Sequence, residues 1–176
     1  MRATDTLAKR RERGGDALIR GPYRYRLQRW WGPDQRSLLW IMLNPSWADS
    51  QNDDPTLRRL IGFSTREGYH RLEVVNLFAL IDPDPSALCR VEDPTGPDND
   101  LHITEAGLRA DRIIVAWGNG PFRPLDHFWA RDRQVLDLLH PQDLWCFGTT
   151  QKGRPLHPLY LGSDRPLSPF RPPTCS

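Results

Sequence analysis

The sequence predicts an α/β domain, three-layer α/β/α, with a mainly parallel central sheet. Short apolar runs of strand length alternate with segments of helical periodicity. Those runs are continuous rather than alternating, as strands covered on both faces require. Each stops at a polar or glycine-rich loop, where α/β sheets place their ligands.

The elements follow in order. Residues 1–16 read as a flexible basic arm, and 17–176 as a single domain. Tyr23-Arg24-Tyr25-Arg26-Leu27 alternates with period two and predicts a strand, followed by a turn at Trp30-Trp31-Gly32-Pro33-Asp34. Ser37–Leu43 is an apolar strand that breaks off at Asn44-Pro45-Ser46-Trp47-Ala48-Asp49. Pro55 suits the first turn of a helix, with Asp53 or Asp54 as its cap. Leu57, Leu60, Ile61 and Ser64 form that helix's inward stripe, Arg58, Arg59 and Arg66 face water, and Gly68 closes it. Leu72–Phe78 predicts a second buried strand, and a long loop rich in Asp and Pro fills residues 80–100. A helix over 99–110, a strand over 112–117, a helix over 125–139 and a strand over 144–147 complete the alternation.

Composition narrows the function. At 176 residues the chain can bury one core. Its longest apolar runs, five or six residues, fall far short of the ~20 that span a bilayer. The first residues hold no apolar signal segment. Cys89, Cys146 and Cys175 show neither metal spacing nor a disulfide framework, so a cytoplasmic location is expected. Residues 1–36 hold ten Lys/Arg against four acids, leaving the remainder net acidic. Such an end suits a polyanion, so DNA, other nucleic acid or a nucleotide is the expected partner. Lys152 and Arg154 are further candidates for phosphate contacts.

Three polar residues stand out against their surroundings. Asn44 ends a buried strand, where its side chain can orient a water or a carbonyl. Asn76 lies among Val74, Val75, Leu77 and Phe78; a buried amide must be paired, within the fold or with a ligand such as a nucleobase edge. His157 is held between prolines at 155 and 158, a setting for a fixed imidazole donor. Asn119, after the strand over 112–117, reaches the same sheet end. The carboxylates Asp49, Asp53, Asp54, Asp93, Asp98 and Asp100 suit helix caps and Asx turns, or together a Mg²⁺ ion. Their spacing matches no specific metal motif, and no metal or cofactor is assigned. No P-loop, dinucleotide fingerprint or Gly-x-Ser-x-Gly elbow is present.

The strings Ile41-Met42-Leu43-Asn44-Pro45-Ser46-x-Ala48-Asp49, Asn52-Asp53-Asp54-Pro55-Thr56-Leu57-Arg58-Arg59 and Val75-Asn76-Leu77-Phe78-Ala79 resemble the DUF1643 family. So do Asp93-Pro94-x-Gly96-Pro97-x-Asn99-Asp100, Ala116-Trp117-Gly118 and Gly153-x-Pro155-x-His157-Pro158-Leu159-Tyr160. The family name implies no reaction. The order of elements is also similar to the uracil-DNA glycosylase superfamily. There a Pro-containing loop activates water, a later strand carries a base-reading Asn, and a late His-Pro-Ser loop follows. Leu43-Asn44-Pro45-Ser46, Val75-Asn76-Leu77, Trp117-Gly118 and His157-Pro158-Leu159 hold the matching places. Ser46 stands where mismatch-specific branches have Gly, Leu159 where Ser is usual, and no iron–sulfur cysteine set is present.

That resemblance implies a glycosylase-like fold and the hydrolysis of an N-glycosidic bond of a flipped or single-stranded base. Asn44, with Asp49, would position water; His157 would stabilise the leaving base; Asn76 would read its edge. Pro45, Ser46 and Asn119 would line the pocket, and Trp47, or Phe63 or Phe78, would stack on the base, core packing being the expected place of the two Phe. Two alternatives stand beside it. One is a non-catalytic module for a nucleotide or modified base. The other is a metal-dependent phosphohydrolase using Asp49, Asp53, Asp54 and Asp98.

Overall fold

The centre of the molecule is the strand β3 (Leu38–Met42), five residues with every side chain buried. It is flanked on both sides by parallel partners, β4 (Arg71–Asn76) and β5 (Arg112–Val115). The computed structural model describes residues 13–120 and 126–172. The remaining strands are β1 (Gly14–Arg20), β2 (Tyr23–Trp30), β6 (Leu144–Cys146) and β7 (Ser168–Pro169). The sheet order is β1-β2-β4-β3-β5-β6-β7.

The sheet is mixed, which corrects the mainly parallel expectation. β4, β3, β5 and β6 run parallel, while β1, β2 and β7 pair antiparallel at the two sides. The difference has local causes. β1 is glycine-led and carries little apolar pattern, so its residues Gly14–Asp16 read as arm rather than strand. It turns at Gly21 (φ +56°) into β2, which continues to Trp30. The arm expected over 1–16 lies outside the described residues as far as residue 12.

Three helices are described: α1 (Pro55–Arg66), α2 (Asn99–Arg109) and α3 (Asp126–Leu139). Alternation along the strands sends Leu38, Trp40 and Met42 to one face of the sheet, and Leu39, Ile41 and Leu43 to the other. The first set packs with Leu57, Leu60 and Phe63 of α1. The second packs with Ile103 and Ala106 of α2 and Val135 and Leu139 of α3. Each such apolar side chain contributes about 1.5–3 kcal/mol on full burial.

Helix α1 begins where its Pro and Asp predict. The Asp54 carboxylate accepts the Leu57 N–H at 2.7 Å, and Pro55 occupies the first turn. Phe63 is buried as well, 4.5 Å from Phe147 between ring centroids, and half-buried Ile61 packs against the same cluster. Ser64 accepts a hydrogen bond from the Trp40 indole at 3.0 Å, which satisfies the indole beneath the helix. Arg58 is exposed as expected, whereas Arg59 is half-buried and donates to the Leu161 carbonyl. No described helix is long and apolar enough to cross a membrane.

From β3 the chain passes to β4 on one side, then returns to β5 on the other. That reversal opens a crevice at the carboxyl ends of the strands. Met42 is level with Asn76, and Ile41 with Val115, so the three strands end together.

Candidate functional site

A cavity of about 520 Å³ lies at those strand ends, on the α1 side of the sheet. Its size falls in the range of small-ligand pockets. Met42, Val74, Leu57 and Leu60 give it apolar walls. Asn44, Ser46, Asn76, Asn119 and His157, separated by as many as 113 positions, all line it.

Asn44 enters from the end of β3. Its amide nitrogen donates to the carbonyls of Asp82 (2.9 Å), Pro45 (3.2 Å) and Leu80 (3.4 Å). The side chain thus ties the loop after β3 to the 80–85 segment, whose Asp82, Pro83 and Pro85 form part of the cavity wall. Its Oδ1 remains as an acceptor.

Asn76, the last residue of β4, shares a strand face with Leu72 and Val74, facing α1. It is 1% exposed, and neither Nδ2 nor Oδ1 has a hydrogen-bond partner. Buried polar groups are almost always paired, and leaving a group unpaired costs about 1–3 kcal/mol. The Trp117 indole N–H, on the same cavity, is likewise unpaired.

His157 is set by the loop after β6. Its Nδ1 accepts the Leu159 N–H at 3.3 Å, which leaves Nε2 as the protonated nitrogen of the neutral ring. Burial pushes its pKa below the ordinary histidine value, opposed by the charge of Asp54. The neutral form is therefore the one the cavity presents at pH 7. Gly118 holds this loop close: its N–H donates to the Pro155 carbonyl at 2.9 Å.

Other expected residues sit elsewhere. Asp49 does not line the cavity; it accepts the N–H groups of Gln51 and Asn52 at 2.8 Å each, and the Asn52 amide. Those bonds hold its carboxyl below the usual range and make it the closure of the 49–52 turn. Pro45 and Trp47 are also off the cavity wall, and Trp47 is 53% exposed. Phe63 and Phe78 pack in the core, as expected of them. Lys152 is exposed in the 150–153 turn, and Arg154 pairs with Asp132 at 3.6 Å in a mostly buried contact.

The carboxylates that a shared metal ion would gather are instead dispersed in the cap and turn roles also expected of them, and in ion pairs. Asp53 pairs with Arg29 at 2.8 Å, Asp98 with Arg20 at 3.0 Å, and Asp100 with Arg131 at 2.6 Å. Asp93 accepts the N–H groups of Thr95 and Gly96. Among the described residues no three His, Cys, Asp or Glu side chains gather as metal ligands would. Asp54 alone of the set reaches the cavity.

Sequence reasoning missed Arg24, Asp54 as a cavity group, Asp82, Trp117 and Tyr160. Tyr160 stands 88% exposed among the lining residues, a large apolar surface that core packing does not explain. The signal for it lay in the His157-Pro158-Leu159-Tyr160 string itself, which carries Tyr160 beside the imidazole.

A family model described as a protein of unknown function (DUF1643) matches residues 24–159, a span that holds every cavity-lining residue but Tyr160. No curated protein and no solved structure matches the chain.

Proposed function

The chain belongs to the DUF1643 family of unknown function, and from that premise and the cavity we propose a nucleobase-reading hydrolase of N-glycosidic bonds. The unpaired carboxamide of Asn76 carries this reading. It offers one donor and one acceptor side by side at the floor of a pocket, and the lactam or amide edge of a base is their complement. The similarity of the Asn44, Asn76 and His157 strings to the glycosylase superfamily supports the same assignment.

The chemistry is a hydrolysis. The bond between the sugar C1′ and the base nitrogen breaks, its electron pair leaving with the base through an oxocarbenium-like state. Water adds its oxygen to C1′ and yields one proton to the departing base or solvent. Asn44 Oδ1 accepts a hydrogen from that water, the amide nitrogen being fixed by three carbonyls. The His157 Nε2–H, its tautomer fixed by Leu159, donates to the charge growing on the leaving base. Asn76 holds the base in register.

The test uses nucleotides and single- and double-stranded oligonucleotides bearing ordinary, deaminated and modified bases, with release of free base as the readout. Release is expected from at least one substrate, falling roughly 100-fold or more in Asn44→Ala and in His157→Ala, as loss of one oriented donor or acceptor does. Asn76→Leu is expected to abolish release without loss of stability, because replacing an unpaired buried amide by an apolar group removes a desolvation penalty. Binding with no release from any substrate would overturn the hydrolase and leave a binding module. A destabilisation above about 2 kcal/mol in Asn76→Leu would mean the amide serves the fold.

A further inference from the structure

We propose that the cavity takes a free mononucleotide, whose phosphate is seated on Arg24 and whose base is read by Asn76. The inference rests on the base-reading assignment above and deepens it.

Arg24 is 4% exposed and lines the cavity. Its Nη1 donates to the Ala48 carbonyl at 2.6 Å, but the Nε–H is buried without a partner. No carboxylate among the described residues comes within ion-pair distance of it. Buried charges are normally paired or ligand-bound, because desolvating a charge is expensive. Arg29, on the same strand, shows what a structural arginine looks like here. It pairs with Asp53 and donates to the carbonyls of Gln28, Asp49 and Asn52. Arg24 instead keeps the Nε–Nη2 edge of its guanidinium uncommitted, and that edge forms two parallel hydrogen bonds to a phosphate or carboxylate. Burial drives its pKa down to about 10, opposed by Asp54 and Asp49, as expected of a cation that lacks a close counter-charge.

The backbone places Arg24 there deliberately. The β1–β2 register slips between Leu18 and Ile19, so that Leu18 faces Arg26 and Ile19 faces Arg24. Tyr25 is the extra residue of this bulge. Its ring turns to His102 of α2, 5.0 Å away on the opposite face of the sheet. Arg24 therefore joins Leu27 on the cavity side, where strict alternation would have sent it to the other face. Bulges re-aim side chains in this way beside functional sites.

The surroundings narrow the anion. The first turn of α1, through Pro55, Thr56 and Leu57, lines the same cavity, with the N–H groups of Leu57 and Arg58 held by Asp54. Asp54 also lines it, with Oδ1 committed to the Leu57 N–H and Oδ2 free of hydrogen bonds. A ligand suited to the whole wall has an anionic group for Arg24, hydroxyl donors for Asp54 and an amide edge for Asn76. A nucleoside monophosphate carries all three, and the volume of about 520 Å³ accommodates more than an isolated base.

The experiment is calorimetric titration of the full chain with nucleoside 5′-monophosphates, the matching nucleosides, inorganic phosphate and a short single-stranded oligonucleotide. Arg24→Met and Arg24→Lys serve as variants. A monophosphate is expected to bind roughly 10–100-fold more tightly than its nucleoside, the worth of a charge-assisted fork. Arg24→Met should erase that preference, so that nucleoside and monophosphate bind alike. Arg24→Lys, which keeps the charge without the fork, should recover part of it. Equal affinity of nucleoside and monophosphate in the unaltered chain overturns the inference and leaves the base-reading assignment standing. So does tighter binding of the oligonucleotide than of any mononucleotide in competition for the cavity, its advantage lost in Arg24→Met. Arg24-dependent binding of inorganic phosphate, with no added affinity from any base, overturns the base reading and the mononucleotide together. Should Arg24→Met fail to fold, the preference of the unaltered chain and its change in Arg24→Lys decide the matter.

Discussion

His157 shows how a single side chain is tuned by position. Burial alone disfavours its charged form, and the Asp54 carboxylate pulls the other way. A histidine whose folded pKa lies below its unfolded value contributes stability above the unfolded value, and that contribution is lost as pH falls through the folded one. Stability and cavity binding should therefore both weaken on the acid side, below the ordinary value of 6.5. Asp54→Asn isolates the charge, since Asn caps a helix as well as Asp does. Its expected result is a further fall in the His157 pKa, with the acid limb of ligand binding moving to lower pH and thermal stability nearly unchanged. An NMR titration of the imidazole checks it; an unaltered His157 curve would mean that Asp54 does not act on the ring. At this scale the sequence was informative where a residue contradicted its neighbours. Asn76 among valines and His157 between prolines are legible for that reason. Asp49 and Asp54 are not told apart, because a turn-closing carboxylate and a cavity-lining one are both Asp in a polar loop.

Elements decide where such side chains meet, and here local irregularities matter more than regular strands. The helices and the four parallel strands follow from periodicity, because apolar runs and a Pro–Asp start encode them directly. Arg24 is hidden from the same method, since a bulge inverts the facing of the residues beyond it and leaves no mark on composition. β7, two residues long, escapes any periodicity at all. The turn after β5 is a second such device. Gly118 has φ +71°, and a Cβ placed on it would stand 3.3 Å from the His157 Cβ. Gly118→Ala is expected to lose about 1–2 kcal/mol from the left-handed backbone and also to displace the imidazole, weakening ligand affinity. Gly21→Ala is the control, with φ +56° and open space around the added carbon. It should lose comparable stability and leave affinity intact. Equal affinities in the two variants would remove the 117–120 turn from the positioning of His157.

Over the whole molecule the excess of basic residues near the start acquires two different meanings. Arg20, Arg26, Arg29 and Arg36 are paired with Asp98, Asp16, Asp53 and Asp34, and Arg24 faces the cavity. Five of the ten basic side chains in residues 1–36 are thus paired with a carboxylate or turned to the cavity, and the folded domain accounts for charge that composition alone assigns to a polyanion. Arg13 is exposed, and Arg2, Lys9, Arg10 and Arg11 lie in residues 1–12; these five are the basic charge that contact with a polymer would draw on. Deleting residues 1–12 separates the two. Each phosphate neutralised on a single strand adds about 0.7 to the slope of log affinity against log salt. Loss of four basic residues should flatten that slope for a single-stranded oligonucleotide by up to about 3, while mononucleotide affinity in the cavity stays the same. Fluorescence anisotropy over a salt series measures the first, and calorimetry the second. An unchanged slope would place polymer contacts on the folded surface, where Tyr160 at the cavity and Trp47 are exposed aromatic groups available for stacking. A slope that falls together with mononucleotide affinity would instead join the two sites, making the basic segment part of the same ligand's enclosure.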